Sequence, residues 1–172
     1  MYSQTIPKSA FSPQFQYPLS HQSQSATFCY QPYRLQPDFK QLQQFQPVGD
    51  RWQKLGLVFE GAIALYPSNP RYYDQTAPLV IMPLEEQGNI SIQLHRPFSQ
   101  IKVRVRSLGE VSLTALDSCG HCIAHGYTRE LSQTSPSSPT IGSAWLSVTA
   151  SQMASLVLSA RAPFVVEAVR LA

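Results

Sequence analysis

The sequence predicts an all-β fold, an antiparallel β-sandwich carried behind a long, extended N-terminal arm. Three observations predict it. From Ile90 onward apolar and polar residues alternate with period two, the pattern of strands with one face on a core and one in water. All eight glycines of the 172-residue chain fall at or after Gly49, several of them at turn positions. Before Gly49 the first 48 residues hold eleven Gln, six Pro and no Gly, a composition in which neither a helix nor a central strand persists. The chain therefore divides at residue 49, into an arm (1–49) and a sandwich domain (50–172).

The arm is not an ordinary solvated tail. It carries Tyr2, Phe11, Phe15, Tyr17, Phe28, Tyr30, Tyr33, Phe39 and Phe45, half of all the aromatic residues in the chain. Disordered tracts are poor in aromatics, because rings left in water forgo burial energy. A short helix is predicted over 38–46, opened after Pro37, closed before Pro47, with Phe39, Leu42 and Phe45 on one face. Two turns cannot stand alone in water, so this helix needs a surface to lie on.

In the sandwich domain, strands are predicted at Leu57–Tyr66 and Leu79–Leu84. Others follow around Ile90–Leu94, Ile101–Val105, Val111–Ala115, Ile123–His125, Ala144–Val148, Leu156–Leu158 and Phe164–Leu171. About eight or nine short strands at this spacing argue for a sandwich. Gly88, Gly109, Gly120, Gly126 and Gly142 mark turns, and residues 129–140, with Ser-Gln-Thr-Ser-Pro-Ser-Ser-Pro-Thr, form a surface loop.

Composition narrows the function classes. Hydrophobic residues make up 43% and charged residues 13%, against about 25% charged in an average soluble protein. The net charge of +3, with nine Arg and four Lys, is below the dense basic usage of a nucleic-acid binder, so no nucleic acid is expected. No apolar run reaches the roughly 18 residues of a membrane span. Without a visible secretory signal, and with three cysteines, the expected location is cytoplasmic.

From about Ile90 to Ala124 the chain resembles bacterial jelly-roll modules of the carbohydrate-binding, galactose-binding-like type. The matching residues are Pro97–Phe98, the alternating Ile101, Val103 and Val105, and the hairpin Leu113–Thr114–Ala115–Leu116–Asp117–Ser118–Cys119–Gly120. The last strand, Pro163 to Val169, is similar to their closing strand, with Glu167–Ala168 where those modules carry Asp and Asn. The resemblance implies a jelly-roll-like sandwich and sugar as one class of ligand.

Catalytic signatures are sparse. There is no Gly-x-Ser-x-Gly elbow, no phosphate loop and no dinucleotide fingerprint, and the acids are scattered, so no enzyme is expected. Cys119–Gly120–His121–Cys122 spells the active motif of disulfide isomerases, but that chemistry needs the first Cys at a helix N-terminus. Here the motif falls at a hairpin turn, and thiol chemistry is not expected. Cys119 and Cys122 with His121 or His125 are zinc-type ligands. A fourth ligand would have to come from Cys29, His21 or His95, and no second Cys-x-x-Cys half exists. Neither a metal nor another cofactor is therefore expected.

Candidates for binding remain. The arm offers Phe11, Phe15, Tyr17, Phe28, Tyr30, Tyr33, Phe39, Leu42 and Phe45 as apolar anchors. Lys102, Arg104 and Arg106 line one strand's exposed face, with Arg96 just before it. Such a stripe either holds acidic groups or protects an edge strand from aggregation. Trp52, Tyr66, Tyr72, Tyr73 and Trp145 could build an aromatic platform, Tyr72, Tyr73 and Trp145 being the candidates for a ligand or interface loop. Two readings follow. The first is a non-enzymatic linker or scaffold that binds acidic neighbouring subunits of a large assembly, in design similar to the linker polypeptides of light-harvesting phycobilisomes. The second is a carbohydrate-binding module.

Overall fold

A computed structural model describes residues 35–72, 79–85, 88–128 and 141–172. Among the described residues the period-two runs become ten strands: β1 (Leu57–Glu60), β2 (Ala62–Leu65), β3 (Val80–Pro83), β4 (Ile90–Leu94), β5 (Gln100–Ser107), β6 (Val111–Leu116), β7 (Cys122–Tyr127), β8 (Ser143–Thr149), β9 (Ser155–Ala160) and β10 (Phe164–Leu171). They form two five-stranded sheets, ordered β1-β4-β9-β6-β7 and β2-β3-β10-β5-β8, and the pairings are antiparallel.

There is one strand more than the sequence pattern predicts, because the run Leu57–Tyr66 breaks at Gly61. That residue has φ +66°, and a Cβ on it would lie 2.9 Å from the Asn89 carbonyl oxygen. Only glycine turns this corner without strain. The chain leaves the first sheet as β1 and enters the second as β2.

Alternation then sorts the side chains. Leu57, Phe59, Ile90, Ile92, Val111, Leu113, Leu156 and Leu158 of the first sheet face Ile81, Ile101, Val103, Val105, Leu146, Val148, Phe164, Val166 and Val169 of the second, in one buried core. Each such side chain contributes about 1.5–3 kcal/mol relative to exposure, so the register of every core strand is strongly specified.

The fold begins earlier than composition suggests. Leu35 bridges to Leu171, and Phe39, Leu42 and Val48 are core residues. Phe39 stacks on Trp52 at 5.3 Å, and Trp52 meets Phe59 edge-on at 5.4 Å. The predicted helix over 38–46 shrinks to a single 3-10 turn, Phe39–Gln41, capped by Asp38, whose carboxylate accepts from the Lys40 N–H at 3.0 Å. Beyond it the backbone pairs with the edge of β2 instead. The Phe45 N–H donates to the Ala64 carbonyl (2.7 Å), the Ala64 N–H to Gln46 (2.9 Å) and the Val48 N–H to Ala62 (3.0 Å). Edge pairing satisfies the groups a helix would have used and covers an otherwise open strand.

Among the described residues, no helix is long and apolar enough to cross a membrane.

Candidate partner-binding face

The outer face of the second sheet collects the basic residues of β5 and two of the aromatic candidates, Trp145 and Tyr72. Strand β5 points Lys102, Arg104 and Arg106 outward, because Ile101, Val103 and Val105 face the core. The three do not share one environment. Arg106 is only 5% exposed. Its Nε donates to Glu167 Oε1 at 2.7 Å, and both side chains are buried. The expectation that Arg106 lies on an exposed stripe is corrected here: it belongs to a buried ion pair. Arg104 stands at the boundary, its Nε 3.0 Å from Glu167 Oε2. Its guanidinium hydrogens are directed to Ser143 Oγ, at 3.0 and 2.9 Å. The contact with Oε2 is therefore one of charge, and among the described residues Oε2 accepts no hydrogen bond.

Glu167 reaches this face through a bulge. The register of β10 against β5 shifts between Val166 and Ala168, so Glu167 and Ala168 both leave the core side, as the extra residue of a bulge allows. The shift also turns Arg170 outward. Its guanidinium carbon lies 4.5 Å from the centroid of Trp145 on the edge strand β8, a cation–π geometry. Trp145 is 40% exposed and pairs with Arg104 across the strands. Lys102 pairs with Ser147 on one side and with Arg170 on the other. Trp145, Arg170, Lys102 and Arg104 thus form one aromatic and cationic ledge. Among the described residues, the sheet's outward-facing acid is Glu167, and it is buried.

The other half of this face is apolar and covered. Tyr72, Val80, Ile141 and Val165 pack together, with Leu65 and Met82 against them. Tyr72, expected in an open ligand loop, is buried, and its hydroxyl donates to the Pro163 carbonyl at 2.9 Å. Burial pushes its phenol pKa above the ordinary tyrosine value.

The remaining candidates separate. Phe39, Leu42 and Trp52 are core residues and offer nothing to a partner, whereas Phe45 is 68% exposed and held at φ +61°. Arg96 does not join the stripe; its methylenes pack over Gly56, next to β1. Tyr66 is half exposed beyond β2. Phe11, Phe15, Tyr17, Phe28, Tyr30, Tyr33 and Tyr73 lie outside the described residues, as do His21 and Cys29. Arg170 was missed by sequence reasoning. Strict alternation from Phe164 would turn it inward, and only the bulge reverses the phase.

At the far end of the first sheet, the β6–β7 hairpin is closed by Ser118–Gly120, with Gly120 at φ +81°. Asp117 Oδ1 accepts from the backbone N–H groups of Cys119 (2.8 Å) and His121 (2.9 Å). The His121 N–H is the main cause that holds the Asp117 carboxyl below its ordinary pKa.

No model of a known protein family matches the chain, and no curated protein matches it.

Proposed function

We propose that the protein is a non-catalytic scaffold that binds neighbouring protein subunits with acidic surfaces. The single observation that carries this reading is the ledge of Trp145, Arg170, Lys102 and Arg104 on the outer face of the second sheet. Trp and Arg are the residues that most often dominate protein interfaces, because each combines large contact area with directional polarity. Three cations on one ledge, Arg170 exposed and Lys102 and Arg104 half-buried, favour a partner rich in carboxylates. The arm aromatics Phe11, Phe15, Tyr17, Phe28, Tyr30 and Tyr33 would add apolar anchors whose contribution is insensitive to salt. A light-harvesting antenna of acidic subunits, the setting of the linkers with this design, is one assembly of the right chemistry. The test is retention of partner subunits by the full chain, by a chain lacking residues 1–34, and by a Trp145→Ser/Arg170→Ser variant. Equal retention by all three would rule the reading out.

The strand order also supports the jelly-roll reading. With β1 and β2 set aside, the sheets read β4-β9-β6-β7 and β3-β10-β5-β8. Every connection from β3 to β10 then crosses between sheets except β6–β7, the double Greek key of a jelly roll. Carbohydrate binding is the second reading, favoured by a specific groove on the first sheet. Glu110, Ser112, Ser159, Ala160 and Arg161 line an open groove of about 550 Å³. Tyr127, 58% exposed, pairs with Ser112 on the neighbouring strand. An exposed ring beside hydroxyls, a carboxylate and a guanidinium suits a sugar face. Binding to a panel of immobilised glycans, lost in Tyr127→Ala, would favour this reading.

A further inference from the structure

The β6–β7 hairpin tip has more chemistry than its turn requires. A three-residue hairpin loop needs a left-handed residue at its end, here Gly120, and gains from an Asp at its start, here Asp117. The Gly120 N–H closes on the Asp117 carbonyl at 3.1 Å, and the Asp117 N–H on that of His121 at 3.0 Å. Nothing in that geometry calls for Cys119 or His121. Yet the Cys119 sulfur, a His121 ring nitrogen and an Asp117 carboxylate oxygen all lie within 4.8 Å of one another. Both Cys119 and Cys122 are exposed free thiols.

We propose that Asp117, Cys119 and His121 bind a zinc-type divalent cation at this tip, with the fourth position held by water. Sequence reasoning took Cys119, Cys122 and one His from the hairpin, sought a fourth ligand far along the chain, and overlooked Asp117, which the hairpin itself delivers. Oδ1 of Asp117 is occupied by two backbone N–H groups, leaving Oδ2, 3.3 Å from His121 Nδ1, as the ligand atom. One sulfur, one imidazole nitrogen and one carboxylate oxygen form a borderline set that suits zinc, whereas calcium and magnesium take oxygen alone. Zinc bond lengths of about 2.0–2.3 Å at tetrahedral angles place ligand atoms roughly 3.4–3.6 Å apart. The exposed side chains of Cys119 and His121 therefore need to close by about 1 Å, within reach of ordinary rotamer adjustment. As the sulfur–metal bond forms, the Cys119 thiol releases its proton to solvent.

The two other candidate ligands are directed elsewhere. The Cys122 thiol is turned to the Ala124 carbonyl at 3.7 Å. His125 Nδ1 is 3.1 Å from the Thr114 hydroxyl on the outer face of the sheet.

The test is a cobalt(II) titration of the reduced full-length protein, followed by displacement with zinc. The expected result is saturation at one ion per chain, with sulfur-to-cobalt charge-transfer absorption and the intense visible bands of a tetrahedral site. Cys119→Ser should lose the charge-transfer band. His121→Ala and Asp117→Asn should lose stoichiometric binding, Asn keeping the turn's acceptor so that the hairpin stays closed. Cys122→Ser and His125→Ala should bind as the natural chain does. The proposal is overturned by the absence of a band at one equivalent, or by one ion per two chains. Full binding in Asp117→Asn, or loss in Cys122→Ser equal to that in Cys119→Ser, would overturn it as well.

Discussion

Arg106 and Glu167 form a buried ion pair, Nε to Oε1 at 2.7 Å, with side chains 6% and 2% exposed. Arg104, two residues earlier on the same strand and face, is 39% exposed and shares the same carboxylate. Removing one member of a buried pair costs about 3–5 kcal/mol, because the other charge stays behind in a poorly solvated site. An exposed pair contributes about 1 kcal/mol or less. Arg106→Met is therefore expected to lower the urea midpoint strongly, while Arg104→Ser shifts it little. Equal shifts in the two variants would contradict the assignment.

A second prediction concerns where the domain starts. Phe39 fills the core against Trp52, and truncating a buried Phe costs about 3–5 kcal/mol. Phe39→Ala should be destabilised on that scale. A fragment of residues 35–172 should unfold cooperatively, whereas one of 50–172, lacking Phe39, Leu42 and Val48, should be far less stable. Matching thermal transitions for the two fragments would place 35–48 outside the fold.

Alkaline pH gives a third. The Tyr72 phenol is neutral when folded, and burial raises its pKa above the ordinary value of about 10. Its contribution is intact below that value and is lost as pH rises through the folded pKa, since the unfolded chain ionises first. Tyr72→Phe should flatten this alkaline loss. At neutral pH it should cost only about 1 kcal/mol, because Ser107 Oγ also donates to the Pro163 carbonyl, at 3.1 Å. An alkaline profile unchanged in Tyr72→Phe would assign the loss to other groups.

The corner at Gly61 gives a fourth. A side chain at φ +66° costs roughly 1–2 kcal/mol, and the Asn89 carbonyl at 2.9 Å leaves no room for a Cβ. Gly61→Ala should be destabilised by at least that amount. Gly120→Ala meets the same backbone strain with nothing within 4 Å, so it should cost less. The opposite order, read from denaturant midpoints, would contradict the corner geometry.

The sandwich was legible in the sequence because alternation is local: Ile101 to Val105 and Val111 to Ala115 carry their own facing. Three features were not legible, each for a physical reason. The split of Leu57–Tyr66 depends on one glycine at φ +66°, set against the Asn89 carbonyl, a neighbour distant in sequence. The bulge at Glu167 reverses the phase of β10, hiding Arg170 and placing Arg106 against a buried carboxylate. Residues 35–48 have the composition of the arm, yet Phe39 and Leu42 are buried, because stacking on Trp52 involves a partner that composition cannot see. At the candidate face, Trp145 and Lys102 were read from strand phase. The ledge they form with Arg170 depends on strand order, which pairs β5 with β8 and β10.

The most direct measurement of the scaffold reading is partner retention across a salt series, comparing the full chain with a Lys102→Ser/Trp145→Ser/Arg170→Ser variant. Exposed cations lose influence as the screening length falls from about 30 Å at 0.01 M salt to about 8 Å at 0.15 M. The natural chain is expected to hold a discrete set of acidic proteins at low salt and to release them in part as salt rises, whereas the variant holds them weakly throughout. An identical set held with equal strength by both chains at every salt concentration would contradict it.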